Sequence, residues 1–244
     1  MTRTSKTRTG LVALPLASLT LLAACGSGGG AKDVAPTAAA AKAAAAAINL
    51  VTADVPGFTG QPDTSSNDNS VDATDKQIAT CLGVSSLALK SDDAADVKSD
   101  QFSKGTPPLA IQVQSEVDVV KSTSRAKAEL TAFQSSKASG CLEQAFLAAI
   151  KKEAGTQAGV TFGQAVVAVA SPSVPGSDGG FGFDITIPVS AAGQSLSVAI
   201  GIRGLLIKHS EITLTTTSFG KPFDSAVTDT LVATLLERAK KSAV

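Results

Sequence analysis

Apolar and polar residues alternate in the middle of the chain, between Leu109 and Val120. This period of two predicts a strand with one buried face and one solvent-facing face. The same pattern returns in three later segments, at 181–189, 196–202 and 212–216, and an apolar stretch at 160–170 precedes them. Because turns of hairpin length separate the last of these segments, we expect an antiparallel sheet of about five strands.

Two positions interrupt the alternation in the later strands. Pro188 has no N–H to donate to a ladder, so its strand is expected to end there or to lie at a sheet edge. Leu205 and Ile207 take the opposite parity from the apolar residues at 196–202. This change of parity indicates a bulge after Gly204.

Four segments have the spacing of an amphipathic helix. They are 72–82, a segment that is capped among Ser122–Ser124 and ends at Gly140, 141–153 and 224–241. The segments 61–70 and 90–104 are polar and charged, which predicts surface loops. Since each predicted strand has one polar face, the helices are expected to pack on one face of the sheet, which gives an α+β fold.

The N-terminus has the parts of an export signal. Arg3, Lys6 and Arg8 form a positive region, and the apolar stretch 11–22 is too short to span a bilayer stably. The tetrapeptide 22–25, LAAC, follows and resembles a bacterial lipobox. The resemblance implies a signal peptide at 1–24, cleavage before Cys25 and lipidation of its thiol. Acyl chains there would anchor the protein on the outer face of the cell membrane. The alternative is an ordinary secretory signal with an accidental cysteine.

Low-complexity sequence follows the lipobox cysteine. Residues 25–47 are rich in Gly, Ala and Ser, which predicts a tether between the lipidated Cys25 and the domain. The Ala run in this segment has no apolar stripe to bury, and a helix there is expected to fray. We therefore expect a single α+β domain at 48–244.

Composition and charge exclude several classes of protein. The chain has 21 basic and 21 acidic residues, and signal removal takes away Arg3, Lys6 and Arg8, which leaves a net charge near −3. Such a balance excludes a basic nucleic-acid-binding domain. The absence of Trp and Tyr disfavours aromatic sugar platforms and quaternary-ammonium cages. Apolar ligands remain possible in a cleft between sheet and helices.

Two cysteines remain once Cys25 is set aside. Cys81 and Cys141 would lie in an exported domain, where disulfides persist. A disulfide between them would tie the segment before the first strand to the start of the helical segment 141–153, and two free buried thiols are the alternative. Two thiols and one distant His do not form a zinc motif, so we expect no metal and no cofactor.

Candidate catalytic residues are few. His209 is the only imidazole and falls in a predicted hairpin turn, where we expect it to be substantially exposed. The chain has no G-x-S-x-G nucleophile elbow to accompany it. Acidic residues of the predicted loops, Asp93 and Asp96 among them, lack the spacing of a calcium loop and are expected to be solvated. We therefore expect no catalytic residues and no enzyme.

The chain resembles a known group of bacterial proteins in its layout. The resemblance rests on the lipobox, the tether, the Leu-x-x-x-Asp-Val-Pro-Gly-Phe segment at 50–58, the strand–helix–Cys–helix block and the C-terminal meander and helix. It is similar to small secreted lipoproteins of high-GC Gram-positive bacteria, and distantly to the extracellular sensor-like domains of receptor kinases. This resemblance implies a cell-envelope protein with a sheet covered by helices.

Three functions fit these features. The first is a non-enzymatic binding or sensor-like domain with an unknown small-molecule or protein partner, held at the membrane by Cys25. The second is an envelope assembly factor without a ligand pocket, and the third is a hydrolase. A deep apolar cleft favours the first function, and an exposed apolar patch favours the second.

Overall fold

The structure, a computed structural model, describes residues 34–63, 73–84, 93–106, 109–154, 160–170, 174–191 and 194–242. Five α-helices lie in these ranges: α1 (Ala38–Ile48), α2 (Ala73–Leu82), α3 (Thr123–Phe133), α4 (Ala138–Ala154) and α5 (Ser225–Lys241). Nine strands accompany them: β1 (Thr59–Gln61), β2 (Asp93–Lys98), β3 (Gln101–Lys104), β4 (Ile111–Val120), β5 (Val160–Phe162), β6 (Val166–Val169), β7 (Gly179–Ala191), β8 (Gln194–Ile207) and β9 (Ser210–Phe219).

The strands form one antiparallel sheet in the order β1-β3-β4-β9-β8-β7-β5. Two short strands lie beside this path, since β2 pairs with β4 and β6 pairs with β7. The mixed α+β class is confirmed, but the estimate of about five strands is wrong. The expected loop at 90–104 contains β2 and β3, which are too short and too polar to show a clear alternation.

The helices cover both faces of the sheet, so the prediction that they pack on one face is wrong. One core joins α1 and α5 to β4, β9 and the end of β8, and includes Val117, Leu205 and Ile212. A second core joins α2 and α4 to β7 and the first part of β8, and includes Ile185 and Ile200. The pairing register places these two sets on opposite sides of the sheet. We name the two sides the α1–α5 face and the α2–α4 face.

Strand β8 takes part in both cores. Its pairing with β7 and β9 has no register shift, so the predicted bulge after Gly204 is absent. Ile200 and Ile202 point toward the α2–α4 face, whereas Leu205 and Ile207 point toward the α1–α5 face. The change of parity in the sequence therefore marks the place where the strand passes from one core to the other.

Helix α1 is part of the domain, so the assignment of all of 25–47 to a tether is wrong for its second half. Ala41, Ala45 and Ile48 are fully buried and pack in the core with α5 and β4. Thr37 caps this helix by accepting a hydrogen bond from the Ala40 N–H. Small side chains allow a helix to approach its neighbours closely, which explains how Ala41 and Ala45 can form the buried stripe together with Ile48.

The Leu50–Phe58 segment joins α1 to the sheet and is fixed by α5. Arg238 of α5 binds both carboxylate oxygens of Asp54, at 2.7 and 2.8 Å, and also donates to the Asn49 carbonyl at 2.8 Å. Val55 is buried, in line with a turn that plants its side chain on the domain.

Capping, glycine and proline residues in the sequence predicted some ends of helices and strands correctly and others wrongly. Ser122 caps α3, as its sequence predicts. Gly140 does not end a helix, since it lies inside α4, and the break falls between α3 and α4 at 134–137. Strand β7 continues through Pro188. On its β5/β6 side, Pro188 lies beside the segment 163–165 between these two strands, and its carbonyl oxygen accepts a hydrogen bond from the Gly163 N–H. Because no strand pairs with Pro188 on this side, its missing N–H interrupts no ladder of hydrogen bonds.

Candidate ligand-binding cleft

A cleft of about 390 Å³ lies on the α2–α4 face of the sheet. Helices α2, α3 and α4 form one wall, and strands β2, β4, β7, β8 and β9 form the floor. The volume falls in the range of small-molecule sites, about 300–1,000 Å³. One end of the cleft is apolar and the other end is charged.

Aromatic side chains build the apolar end. Phe133 of α3 stacks on Phe181 of β7 with ring centroids 4.4 Å apart and planes 16° apart. Phe183 follows on the same side of β7, and its ring centroid lies 5.8 Å from that of Phe181. Phe146 of α4 and Ile202 of β8 complete this part of the lining. These side chains offer a ligand a broad, largely rigid apolar surface.

Gly204 makes room for the Phe181 ring. The two residues are cross-strand neighbours, and a Cβ at position 204 would collide with the ring carbons of Phe181. A strand glycine at such a point marks a close approach of another group. The glycine therefore lets the aromatic ring lie on the sheet and define the bottom of the cleft.

Arg125 of α3 organises the charged end. Its Nη1 lies 2.9 Å from Asp93 Oδ1 of β2, and its Nε donates to Glu129 Oε1 at 2.7 Å. The three side chains are largely buried, with exposed fractions of 14%, 6% and 5%. Burial alone would lower the pKa of Arg125, but its hydrogen bond to Glu129 and the negative charges of Asp93 and Glu129 raise it.

Glu211 of β9 adds a further carboxyl group to this cluster. It is hydrogen-bonded to Glu129, and burial together with the charge of Glu129 raises the pKa of Glu211 to about 8. Burial likewise raises the pKa of Asp93 to about 6, although Arg125 opposes this effect. The Glu211 carboxyl is therefore mostly protonated at neutral pH.

Carboxylates also form a row across the sheet beside this pair. Asp96 of β2 lies opposite Asp118 of β4, which lies opposite Glu211. Ligand oxygens of Asp96, Glu116 and Asp118 lie within 4.8 Å of one another, and Lys98 is 3.9 Å from Glu116. Like charges directly opposite each other on a sheet are destabilising. The expectation that Asp93 and Asp96 lie in a loop is wrong, because both are in β2, but Asp96 is exposed as expected whereas the side chain of Asp93 is buried.

A disulfide fixes one wall of the cleft. Cys81 and Cys141 are bonded, with their Cα atoms 5.6 Å apart, which confirms the predicted pairing and leaves no free thiols at these positions. The bond joins α2 to α4. Thr74, Asp75 and Ile78 of α2 line the cleft, so the disulfide helps to hold these residues over it.

The structure also places His209, whereas it does not describe Cys25. His209 lies in the turn between β8 and β9, as predicted, but it is half-buried, and its Nδ1 is 2.9 Å from the Val120 carbonyl oxygen. Cys25 and the signal peptide at 1–24 lie outside the described residues, so lipidation stays a prediction. Among the described residues, no helix combines the length and apolar character needed to cross a membrane.

Sequence reasoning did not identify the charged cluster. Glu129 offered one signal, since it lies three residues after Ala126 on the apolar side of its helix. Glu211 offered another, because it continues the polar face of Thr213 and Thr215 rather than a turn. Their meeting depends on the packing of α3 on the sheet, which the pattern of a single segment does not contain.

Comparisons with known proteins add little. No family model matches the sequence. No curated protein matches it either. Among solved structures, the chain is similar to the crystal structure of LpqN, described as involved in cell envelope biogenesis of Mycobacterium tuberculosis, at 12% identity and a TM-score of 0.26. The match covers 59% of this chain and 68% of LpqN.

Proposed function

We propose that this chain is an exported, lipid-anchored cell-envelope protein whose domain binds a small amphiphilic molecule in the cleft without transforming it. The observation that carries the proposal is the cleft itself, which joins a floor of stacked phenylalanines to a buried charged cluster. Sites for small molecules are concave and mostly apolar, with a few polar groups that fix orientation. Of the three functions that the sequence allowed, a binding domain agrees best with this geometry.

The division of the cleft supports an amphiphile over a wholly apolar or wholly polar molecule. A purely apolar ligand would cover the Arg125 cluster without satisfying its polar atoms, which costs free energy. A purely polar ligand would leave Phe133 and Phe181 in contact with water. An amphiphile matches both ends at once.

The location is supported by the N-terminal sequence. The positive region, the short apolar stretch and the LAAC tetrapeptide ending at Cys25 together are typical of lipoprotein export. Residues after Cys25 and before α1 would then separate the domain from the membrane surface.

A fluorescent probe tests the binding function. N-phenyl-1-naphthylamine, a neutral aromatic dye, is small enough to pack on the phenylalanines without covering the Arg125 cluster, so it is expected to bind there and to gain fluorescence. Thr213 lines the cleft and lies opposite Gly204. Thr213→Trp should therefore fill the site and lower the affinity for the dye at least tenfold. The matched control is Thr186→Trp, at an exposed position of β7 on the α1–α5 face. Equal weakening by both variants, or no binding by the wild type, would contradict the proposal.

A cysteine substitution tests the anchor. Cys25→Ser removes the thiol that would be lipidated, so the protein should leave the membrane fraction or stay unprocessed. Cys81 and Cys141 are paired with each other and should be unaffected. Fractionation of cells and intact-mass measurement check this outcome. Unchanged processing and membrane attachment in the variant would exclude the lipid anchor.

A further inference from the structure

Charged groups are unevenly distributed around the cleft. In the described part of the lining, carboxyl groups outnumber cationic groups, with Lys98 and Arg125 as the cations. The carboxyl groups are those of Asp75, Asp93, Glu116, Asp118, Glu129 and Glu211. A ligand with an anionic head would add negative charge to a partly desolvated site that already has an excess of it, which is unfavourable.

Both cations are already engaged by carboxylates. Arg125 lies between Asp93 and Glu129 at 2.9 and 2.7 Å. Lys98 lies 3.9 Å from Glu116. An anionic head would have to compete with these ion pairs, whereas a cationic head would be attracted by the excess of carboxyl groups.

Glu211 lies where the apolar and charged ends meet. Along β9, Glu211 and Thr213 point to the same side and are about 7 Å apart, as residues two apart in a strand are. Thr213 lies opposite Gly204, over which the Phe181 ring is placed. A molecule whose apolar body rests on Phe181 therefore needs only a few bonds to bring its head group to Glu211.

We propose that the ligand of the cleft, on the premise of the proposed function, carries a primary or secondary ammonium head that binds the carboxylates of Glu211 and Asp118 while its apolar body packs on Phe133 and Phe181. Such a head donates two or three N–H groups, and hydrogen bonds between an ammonium and a carboxylate are roughly twice as strong as neutral ones. The ammonium also offsets the like charges of Asp96 and Asp118, which lie directly opposite each other on the sheet.

Binding of this head group is coupled to the loss of a proton. Burial and the charge of Glu129 raise the pKa of Glu211 to about 8, so its carboxyl is mostly protonated at pH 7. The charged groups around it are Glu129 and Arg125 of α3, Asp93 of β2 and Asp118 of β4. An ammonium head favours the carboxylate form and displaces the proton to solvent. The affinity therefore rises from pH 6 to about pH 8 and then levels off.

Three probes of matched size test the head-group class by titration calorimetry of the intact domain. They are 4-phenylbutylamine, 4-phenylbutanol and 4-phenylbutanoate. At pH 7 we expect the amine to bind about tenfold more tightly than the alcohol, and the carboxylate to bind most weakly. Measurements in two buffers of different ionisation enthalpy should show proton release with the amine alone.

Two substitutions locate the effect. Glu211→Gln should lower the affinity for the amine about tenfold, abolish the proton release and leave the affinity for the alcohol unchanged. Glu237→Gln is the control, because Glu237 is an exposed carboxylate of α5 paired with Lys240, and it should change neither ligand.

The outcomes separate the two proposals. If the alcohol or the carboxylate binds as tightly as the amine, the ammonium head is wrong while a cleft for amphiphiles remains. If Glu211→Gln leaves amine binding unchanged, the head group does not bind at Glu211 and the inference fails. If no probe binds and the neutral dye does not bind either, the proposed function fails together with the inference.

Discussion

Glu129 of α3 and Glu211 of β9 are joined by a hydrogen bond between their carboxyl groups inside the cleft. Glu211 carries the proton of this bond at neutral pH, because burial and the charge of Glu129 raise its pKa to about 8. Glu211 therefore stores a proton at a pH where isolated glutamates are ionised.

The stored proton makes stability depend on pH. The pKa of Glu211 is raised from 4.5 to about 8, so the folded protein holds this proton more tightly than the unfolded chain. Its stabilising contribution is complete below about pH 4.5 and is lost as the pH rises toward 8. Each unit of raised pKa corresponds to about 1.4 kcal/mol at full ionisation. Protonated Asp93 stabilises the folded protein in the same way, and this contribution is lost between about pH 4 and 6 as Asp93 ionises.

We expect Glu211→Gln to flatten this profile. The amide carries no charge, so urea unfolding between pH 5 and 9 should show a smaller decline of the unfolding free energy than in the wild type. At pH 9 the variant should be the more stable protein. Glu237→Gln should reproduce the wild-type slope. A Glu211→Gln profile parallel to that of the wild type would show that Glu211 is not the group responsible.

The second prediction concerns Gly204 and the aromatic floor. Gly204→Ala places a methyl group where Phe181 lies, so we expect a loss of about 1–3 kcal/mol, typical of overpacking. Dye binding should weaken as well, since the ring must move into the cleft. The control is Gly140→Ala in α4, where nothing lies within 4 Å of an added Cβ. That variant should gain about 0.5–1 kcal/mol. Thermal unfolding of both variants distinguishes a packing effect from a general response to alanine.

The third prediction concerns the disulfide that joins α2 to α4. The double substitution Cys81→Ser, Cys141→Ser opens a loop with a sequence separation of 60, which corresponds to about 4 kcal/mol in the chain-entropy model. Because α2 contributes to the lining, dye affinity should also fall. A reducing agent should destabilise the wild type by a similar amount and leave the double variant unchanged. If the wild type were equally stable with and without the reducing agent, the prediction would be wrong.

The parts of the fold that the sequence predicted are those in which one segment carries its own signal. The alternation in β4, the capping serine of α3 and the stripe of α5 each depend on neighbours within a few residues. Strand β2 has the sequence DAADVK and no clear alternation, and its place in the sheet depends on its pairing with β4 and on packing against the core of the α1–α5 face. The same holds for the meeting of Arg125 with Asp93, which depends on two elements packing together.

One signal in the sequence allowed a better prediction than the one we made. The opposite parities of Ile202 and Leu205 require either a bulge or a sheet with apolar cores on both faces. The second possibility is the one that the register supports. A strand whose apolar residues change face without glycine-induced distortion therefore indicates helices on both sides of its sheet.

The last prediction tests where the domain begins. In the Ala run of α1, Ala45 is fully buried, whereas its neighbour Ala46 is exposed. Ala45→Asp would place a charge in the core formed with α5 and β4, and we expect a loss of about 3 kcal/mol or more. Ala46→Asp has the same effect on helix propensity and on net charge, but its carboxylate reaches water, so a loss below about 1 kcal/mol is expected. Urea unfolding of the two variants gives the comparison directly. If the run were an unpacked spacer, the two substitutions would have equal and negligible effects, and the domain would begin at residue 48. A large difference between them requires that alanines in a low-complexity sequence form the buried face of a helix, and that the tether after Cys25 ends before α1.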